Sequence, residues 1–283
     1  MSLRNQSADP LRWQSQALLV LVVAPVTVAV ALECLFFAPA SPWLPVRALC
    51  LGALLALLVW KSRAATAGAA LCGGLFTVAL FMAVPGWRTA LWPLVALLLL
   101  TLGATRFGRA RKEALGIAEA RRGRIATQVT ANLGVAALAA VALRFSLAVA
   151  APVIVSSIAL RSALAAALAE AAADTLSSEL GEVLGGEPRL LTTFRRVPIG
   201  TDGAVSMAGT IAGLCAAAIV AVVAAFALHL TLTDTALILF AAVAGLFVDS
   251  WLGAVLERRG WLNNDAVNFL ATLAAALLAF WVR

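Results

Sequence analysis

Residues 205–228, VSMAGTIAGLCAAAIVAVVAAFAL, contain no charged side chain. A helix needs about 20 apolar residues to cross the roughly 30 Å hydrocarbon layer of a membrane, so this stretch predicts a transmembrane helix. Further apolar blocks of similar length occur along the whole chain. We place nine in all, at residues 16–38, 43–60, 65–84, 90–105, 126–143, 146–172, 205–228, 234–256 and 265–282.

The composition of the 283-residue chain agrees with this interpretation. Hydrophobic residues make up 63% and charged residues 12% of the chain, whereas soluble domains average about 45–50% apolar and about 25% charged residues. A water-soluble fold is therefore excluded. The four cysteines are scattered singly through the apolar blocks, which excludes a disulfide framework. The predicted fold class is all-α, a polytopic transmembrane helical bundle of about nine spans.

The distribution of basic residues predicts how the bundle lies in the membrane. With the N-terminus in the cytoplasm, 16 of the 21 Lys and Arg residues fall in cytoplasmic segments and four in external ones, as the positive-inside rule requires. We therefore expect a bacterial inner-membrane protein and no nucleic-acid partner. Two parts are expected, an N-terminal pair of helices over residues 1–62 and a membrane-embedded catalytic core over residues 63–283.

Acidic residues gather at the end of the sixth block, in the segment EAAADTLSSELGEVLGG at 170–186. Glu170, Asp174 and Ser178 recur every four residues and share one helical face, with Glu179 in the same turn. A solvated helix end would explain them. The Ala-rich run before Asp174 argues instead for close helix packing, where carboxylates repel unless a cation lies between them. Mg²⁺ is the cation expected where phosphates are bound.

The segment PRLLTTFRRVPIGTDGAVSMAGT at 188–210 opens into the seventh block. Glycines before a helix start let backbone amides converge on an anion, and flanking arginines and hydroxyls strengthen the attraction. A plain loop-to-helix turn is the alternative. The phosphate-binding residues expected in this segment are Thr193, Arg195, Arg196, Gly200, Thr201, Asp202, Gly203 and Ser206.

Three further segments place polar residues at the same side of the membrane. Asp249 lies inside an apolar run, where an unpaired carboxylate is costly, so a ligand or a cationic partner is expected there. Asn264 and Asn268 share a face of the ninth block, and a helix cap explains one residue of this group but not Asn268. Lys112 belongs to a basic segment that either lies on lipid headgroups or contacts polyphosphate. Asn132 extends this polarity into the fifth block.

These residue types favour phosphoryl transfer over hydrolysis or acyl transfer. His229, the single histidine, falls on the external side, so neither a Ser-His-acid nor a Cys-His set can be assembled. Phosphoryl transfer needs mainly positioning and charge neutralisation by Mg²⁺, Arg, Lys and backbone amides. A phosphate monoester, whose second pKa is about 6, arrives as an anion and needs no general base.

Five motifs, in order, resemble the integral membrane family that includes the phytyl-phosphate kinase of tocopherol synthesis. They are RKEALGIAEARRGR (111–124), DTLSSELG (174–181), LLTTFRRVPIGTDGAVSMAGTIAGL (190–214), DSWLGA (249–254) and WLNNDAVNF (261–269). The resemblance covers about residues 63–283. It implies phosphoryl transfer from a nucleoside triphosphate, expected to be CTP, to a phytyl- or geranylgeranyl-like prenyl monophosphate, with Mg²⁺ as cofactor.

Carried onto this chain, the resemblance implies three groups of site residues. The metal ligands, which are also the catalytic carboxylates, are Asp174, Glu179 and Asp249. The phosphate binders are Lys112, Arg122, Arg195, Arg196 and the turn from Gly200 to Gly203, and Arg195 and Arg196 are also expected to be catalytic. The residues that complete the pocket are Asn264, Asp265 and Asn268.

A CTP-dependent prenyl alcohol kinase and a cytidylyltransferase are enzymatic alternatives of similar membrane design. A lipid-phosphate transporter would need polar residues through the membrane midplane. Here they stop about a third of the way in, apart from Glu33 and Arg161. The expected partners are the nucleoside triphosphate (CTP or ATP), the prenyl monophosphate and the bilayer. Homo-oligomerisation is left open, and the site is expected to face the cytoplasm.

Overall fold

A computed structural model describes residues 10–37, 43–115, 123–148 and 156–283. The helices are α1 (Arg12–Leu18), α2 (Ala24–Leu32), α3 (Trp43–Lys61), α4 (Ala67–Ala83), α5 (Leu91–Arg106), α6 (Arg109–Leu115), α7 (Ala126–Ala148), α8 (Ser157–Leu184), α9 (Met207–Leu228), α10 (Leu232–Leu252) and α11 (Asn264–Trp281). The strands are β1 (Arg189–Leu190) and β2 (Ala204–Val205). π-helical turns at Leu19–Val23 and Glu33–Phe37 join and extend α1 and α2 into one rod, and another at Gly253–Glu257 extends α10.

The all-α membrane bundle predicted from the sequence is confirmed. In the described part of the chain, each of the nine apolar blocks corresponds to one helix, counting the α1–α2 rod as one. Six of these helices are long and apolar enough to cross a membrane, α4 and α5 are shorter apolar helices, and the more polar α8 belongs to neither group. The number of spans and the side on which the N-terminus lies stay predictions.

Helix α8 lies at the centre of the bundle and contacts α5, α6, α7, α9, α10 and α11. Its alanines between residues 163 and 173 are all buried, so neighbouring helices approach its backbone closely. On α9, a Cβ at Gly209 would lie 2.5 Å from the carbonyl oxygen of Ser177, and one at Gly213 would lie 2.9 Å from that of Ala173. Small residues therefore let α8 and α9 pack backbone against backbone.

The boundaries of the sixth block differ from those predicted. Helix α8 begins at Ser157, where Ser156 Oγ accepts a 3.4 Å hydrogen bond from the backbone N–H of Ala159, and it continues to Leu184. The predicted block ran from residue 146 to residue 172. An apolar block ends where carboxylates begin, but the helix continues because α8 is surrounded by protein, which tolerates carboxylates better than lipid does.

One end of the bundle, which we call the polar end, collects most of the polar residues. Helices α3, α5, α8 and α10 end there, and α4, α7, α9 and α11 begin there. The connection from α8 to α9 contains the hairpin of β1 and β2, which pair antiparallel with Leu190 opposite Ala204. The polar end is the side that the sequence predicts to be cytoplasmic.

The α1–α2 rod packs against α4, α7 and α11. At the polar end, Ser15 Oγ donates a 2.6 Å hydrogen bond to Asp265 Oδ2 at the start of α11. Beyond α2, the buried side chain of Glu33 forms an ion pair with Arg144 of α7. The rod is therefore in direct contact with helices of the expected catalytic core. The division into residues 1–62 and 63–283 stays a prediction.

Candidate functional site

Polar residues from five parts of the chain line one cavity of about 300 Å³ at the polar end, which we call the acidic cavity. Its walls come from α7, α8, α10, α11 and residues 199–206. The predicted site residues that line it are Asn132, Asp174, Glu179, Gly200, Thr201, Asp202, Gly203, Ser206, Asp249, Asn264 and Asn268. The fold thus brings together residues that lie up to 136 positions apart in the sequence.

Asp174 of α8 and Asp249 of α10 both line the acidic cavity, and their negative charges repel each other. Glu257, in the turn that extends α10, is a third carboxyl group close to both, and its ionised form would repel them. The Oδ2 atom of Asp249 is buried and has no hydrogen-bond partner among the described residues. Burying a carboxylate oxygen without a donor is costly. The arrangement therefore favours a bound cation.

Glu170 lies one turn deeper on α8 and is 1% exposed. Its Oε1 atom has no hydrogen-bond partner in the part of the chain that the structure describes. The side chain packs against Gly245 of α10, where a Cβ would lie 2.6 Å from Glu170 Cγ. Asp174 and Asp249 lie close enough to act on it electrostatically. Glu170 therefore lies buried directly behind the two cavity carboxylates.

Magnesium fits this cavity together with a ligand that supplies further oxygen atoms. Among the described residues, no three His, Cys, Asp or Glu side chains are arranged to hold a metal ion. Where phosphates are bound, Mg²⁺ is usually held by one or two carboxylates, with phosphate oxygens and water as its other ligands. Asp174 and Asp249 match that donor set, because both line the cavity and Oδ2 of Asp249 lacks a donor from the described chain.

Glu179 differs from the other two predicted metal ligands because both of its oxygens already have partners. Its Oε2 forms an ion pair with Nζ of Lys112, which is 2% exposed, and its Oε1 accepts a 2.9 Å hydrogen bond from Thr105 Oγ1. Lys112 also donates a 3.3 Å hydrogen bond to the carbonyl oxygen of Ala104. A metal ion at Glu179 would have to replace Lys112, and the role of Glu179 as a ligand stays a prediction.

Gly203, in the turn that begins at Gly200, lies directly against the end of α10. Its φ is 71°, and a Cβ there would lie 2.5 Å from the carbonyl oxygen of Ser250 and would overlap the backbone nitrogen of Ala254. A residue with a side chain is excluded on both counts. The close approach holds the turn beside Asp249, which is one residue before Ser250.

The hydroxyl groups beside this turn make local hydrogen bonds. Thr201 Oγ1 donates to the carbonyl oxygen of Pro198 at 2.7 Å. Ser206 Oγ accepts a 3.1 Å hydrogen bond from the backbone N–H of Gly209 and caps α9. Both residues line the acidic cavity, and Ser206 is at the N-terminus of α9, where the helix dipole favours an anion.

Asn132 of α7 and Asn268 of α11 meet at the wall of the acidic cavity, where Asn268 Nδ2 donates a 3.4 Å hydrogen bond to Asn132 Oδ1. The cap of α11 is Asn263, whose Oδ1 accepts a 2.9 Å hydrogen bond from the backbone N–H of Ala266. The helix-cap alternative therefore accounts for Asn263. Asn264 and Asn268 remain as cavity residues.

Three predicted site residues of the hairpin do not line the acidic cavity. Thr193, Arg195 and Arg196 are exposed on the turn between β1 and β2. Arg196 forms an ion pair with Glu187, which is also exposed. Pairing of β1 with β2 brings the two ends of this segment together, and that leaves its middle at the surface.

The other predicted residues outside the acidic cavity have separate explanations. The carboxylate of Asp265 accepts the hydrogen bond from Ser15 of the α1–α2 rod. Lys112 is buried against Glu179 and lines a neighbouring cavity. Arg122 lies outside the described residues.

The neighbouring cavity has a volume of about 460 Å³ and is lined by α3, α4, α5, α6, α7 and α8 together with the connecting segments at the polar end. Leucines dominate its wall, so we call it the apolar cavity; they are Leu55, Leu94, Leu97, Leu98, Leu102 and Leu133. At the polar end its lining is basic overall, because Arg63, Arg106, Arg109, Arg124 and the buried Lys112 outnumber the carboxylates of Glu113 and Glu179. Arg124, Asn132 and Glu179 line both cavities, which therefore adjoin.

Sequence reasoning missed several charged residues of this site. Arg124 was treated as part of the basic segment, yet it lines both cavities. Arg63 and Arg106 are explained equally well by the positive-inside rule, and no spacing marks them as cavity residues. Glu257 had a usable signal, because it follows Asp249 by eight residues and therefore shares a helical face with it.

Several known membrane proteins are similar in sequence to this chain. A family model described as "Integral membrane protein DUF92" matches residues 50–276. An uncharacterized membrane protein of Methanocaldococcus jannaschii is 39% identical over 105 residues, which is 36% of this chain and 42% of that protein. The chloroplast protein VTE6 of Arabidopsis thaliana is 31% identical over 183 residues, 64% of this chain and 54% of that protein.

A third relative, an uncharacterized membrane protein of Synechocystis, is 32% identical over 203 residues, 70% of this chain and 75% of that protein. The chain spans about half the length of the first two relatives. No solved structure matches the chain.

Proposed function

Because the chain belongs to the DUF92 family of integral membrane proteins, we propose that it is a membrane kinase acting on a prenyl monophosphate. The donor is a nucleoside triphosphate, CTP in this proposal, and the product is the prenyl diphosphate. The five motifs that resemble the phytyl-phosphate kinase family support this choice, as does the similarity to the chloroplast protein VTE6. The bilayer location of the helices suits an acceptor with a lipid tail.

The observation that supports the proposal most directly is the shared wall of the two cavities. Arg124, Asn132 and Glu179 line the acidic cavity and the apolar cavity at once. A lipid tail in the apolar cavity places its phosphate beside this wall, and a nucleotide phosphate in the acidic cavity reaches the same wall from the other side. The reacting phosphates then meet at Arg124.

On the donor side, Asp174 and Asp249 are the residues that would hold Mg²⁺. When bound, Mg²⁺ neutralises charge on the donor phosphates. The chain itself contributes Arg124, whose guanidinium lies close enough to Asp174 to offset its charge. The N-terminus of α9 and the turn at Gly200 supply backbone dipoles for the remaining phosphate oxygens.

On the acceptor side, no general base is required. A phosphate oxygen of the acceptor attacks the γ-phosphorus of CTP, the bond from that phosphorus to the β–γ bridging oxygen breaks, and the electron pair leaves with CDP. His229, the single histidine of the sequence, is the residue at the C-terminus of α9 and so lies at the opposite end of the bundle. Positioning and charge neutralisation therefore account for the whole proposed reaction.

One assay tests this proposal. Purified protein is incubated with phytyl, geranylgeranyl or farnesyl monophosphate and with CTP or ATP, and lipid and nucleotide products are separated. We expect prenyl diphosphate and CDP in equal amounts. Pyrophosphate release would indicate a cytidylyltransferase instead, and phosphorylation of the free alcohol would indicate a prenyl alcohol kinase. Movement of prenyl phosphate across vesicles without turnover would indicate a transporter.

The proposed location follows from the same arrangement. Both cavities open at the polar end, where the basic residues of the chain are concentrated, and the positive-inside rule assigns that end to the cytoplasm. Cytoplasmic nucleotide then reaches the acidic cavity directly. We propose a bacterial inner membrane for the protein.

A further inference from the structure

The apolar cavity combines a deep hydrocarbon lining with an anion-attracting mouth. Leu94, Leu97 and Leu133 are almost fully buried and line its wall. Leu94 and Arg106 lie on the same helix, α5, twelve residues apart, so the lining extends about 18 Å along that helix. A volume of about 460 Å³ is in the range of single-ligand pockets. These dimensions suit one lipid tail.

The arginines at the mouth are available to an anion. Arg63 and Arg106 are exposed, and in the part of the chain that the structure describes neither guanidinium has an ion-pair or hydrogen-bond partner. The neighbouring Lys112 and Arg109 differ, since they pair with Glu179 and Glu113. A phosphate is the anion that such arginines bind best, through paired hydrogen bonds.

The backbone holds the mouth in shape. The N–H of Arg124 donates a 3.0 Å hydrogen bond to the carbonyl oxygen of Ala64, and the N–H of Thr66 donates a 3.0 Å hydrogen bond to that of Arg124. Gly123 makes this approach possible, because its φ is 73° and a Cβ there would lie 2.6 Å from the carbonyl oxygen of Arg63. The turn before α4 and the segment before α7 therefore keep Arg63 and Arg124 at the same rim.

One position in the wall leaves room for a tail. Gly73 of α4 lines the apolar cavity, and the nearest atom to a Cβ built there is Val129 Cγ1 at 3.9 Å. A larger side chain at this position would therefore enter the cavity without meeting backbone. Gly68, on the same helix but not in the cavity wall, has comparable space, with Ala126 Cβ at 3.8 Å.

We propose that the apolar cavity binds a single-chain isoprenoid monophosphate, that Arg63 and Arg106 bind its phosphate, and that the space at Gly73 lets the site accept long tails. The isoprenoid character of the tail rests on the proposed function, and the single chain and the phosphate rest on the cavity itself. The bound phosphate lies next to Arg124, at the wall shared with the acidic cavity.

Tail selection is tested by binding measurements on purified protein in detergent without nucleotide. Geranyl and geranylgeranyl monophosphates are titrated into the wild type, Gly73→Leu and the control Gly68→Leu. We expect Gly73→Leu to lower the affinity for geranylgeranyl monophosphate by about tenfold, because the leucine fills space that the tail would occupy. The affinity for geranyl monophosphate should change by no more than about twofold. Leu94→Ala, which enlarges the same cavity, should shift the preference toward the longer tail. Equal effects of both substitutions on the two ligands would overturn tail selection.

The head group is tested with Arg63→Gln and Arg106→Gln, with the exposed Arg258→Gln of the polar end as control. Each of the first two should lower the affinity for geranylgeranyl monophosphate by about tenfold, since one charge-assisted contact to phosphate is lost. The affinity for geranylgeraniol, which has no phosphate, should be unchanged. Equal loss with the alcohol would overturn the assignment. Binding of two-chain phosphatidic acid as tightly as the monophosphate would overturn the single-chain site.

Failure of this inference and failure of the proposed function give different results. Tail-selective, arginine-dependent binding without any phosphoryl transfer would overturn the kinase and leave the binding site in place. Phosphoryl transfer whose tail preference is unchanged in Gly73→Leu and Leu94→Ala would overturn the binding site and leave the kinase in place.

Discussion

Lys112 and Glu179 form a buried ion pair at the place where the acidic cavity and the apolar cavity adjoin. Lys112 comes from the short helix α6 and Glu179 from the central helix α8. The pair neutralises a carboxylate that would otherwise add to the charges of Asp174 and Asp249. Asp174 and Asp249 therefore remain as the carboxylates that can bind a cation.

We expect removal of either partner of this pair to destabilise the protein strongly. Lys112→Met leaves the Glu179 carboxylate buried without its cation, and Glu179→Gln leaves the ammonium without its anion. An uncompensated buried charge costs about 3–5 kcal/mol. Thermal unfolding in detergent, followed by tryptophan fluorescence, measures both losses.

The double variant Lys112→Met/Glu179→Gln provides the control. With both charges removed, much of the lost stability should return. Additive losses in the double variant would contradict the pairing. If Mg²⁺ binding persists in this double variant, Glu179 is not a metal ligand, and the predicted role of that residue fails.

Asp174→Asn and Asp249→Asn should each lower phosphoryl transfer by more than about 100-fold, because they remove oxygen ligands for Mg²⁺ while preserving side-chain shape. The same substitutions should reduce the stabilisation that Mg²⁺ and CTP together give to the folded protein, which is about 2.7 kcal/mol at a ligand concentration of 100 Kd. Turnover and thermal shift are measured on the same preparations.

The matched control for these carboxylates is Glu187→Gln. Glu187 is exposed, pairs only with the exposed Arg196 in the described chain, and lies outside the acidic cavity. Its substitution removes the same charge from the same end of the bundle. A loss of turnover in Glu187→Gln equal to that in Asp174→Asn would mean that overall charge, and not metal binding, explains the result.

The helices were predictable from the sequence because lipid selects long apolar blocks. Helix α8 is the exception in its boundaries. It is surrounded by six other helices, so carboxylates and serines continue it to Leu184, where a lipid-facing helix would have ended. Apolar composition reports contact with lipid, and for that reason it misplaces the ends of a helix that is mostly surrounded by protein.

Part of the candidate site was predictable because a charged side chain inside an apolar segment is costly and therefore marks a functional site. Asp174 and Asp249 stand out by that rule. Arginines at helix ends do not, because membrane topology alone accounts for Arg63 and Arg106. For the hairpin turn the sequence predicted too much. Arg195 precedes a glycine turn, a pattern that resembles an anion site, but it is exposed and lies outside the acidic cavity. Only tertiary structure separates these cases.

Gly203→Ala should cost more stability than the same substitution at Gly260. Both glycines have φ of 71°, so alanine is strained at each by about 1–2 kcal/mol. At Gly203 the new Cβ also overlaps the backbone of Ala254, whereas at Gly260 no atom lies within 4 Å. Thermal unfolding of the two variants isolates the contribution of close packing between the turn and α10.

The Gly203 comparison has a functional counterpart. Displacing the turn from α10 moves it away from Asp249, so CTP affinity should fall in Gly203→Ala and not in Gly260→Ala. Equal thermal losses in the two variants, with equal CTP affinity, would contradict a role for this contact in forming the acidic cavity.

The last prediction concerns Asp265, which the motif resemblance assigned to the pocket. Ser15 Oγ donates to its Oδ2 at 2.6 Å and accepts a 2.9 Å hydrogen bond from Asn263 Nδ2. Ser15 therefore connects the α1–α2 rod to the residue that caps α11. We expect Ser15→Ala and Asp265→Asn to lower stability by about 1 kcal/mol each, because the first removes the hydrogen bond and the second replaces its charged acceptor with a neutral amide oxygen.

A double-mutant cycle distinguishes the two roles of Asp265. If Asp265 acts through Ser15, the double variant should lose less stability than the sum of the single variants, with a coupling of about 0.5 kcal/mol or more. Ser62→Ala is the control, because Ser62 Oγ donates only within its own turn, to the carbonyl oxygen of Val59. Additive losses, together with a fall in CTP affinity in Asp265→Asn alone, would show that Asp265 acts as a pocket residue, as the motif resemblance implies. Non-additive losses would instead show that the α1–α2 rod positions the start of α11 through Ser15 and Asp265. Asn264 and Asn268, in that part of α11, line the acidic cavity.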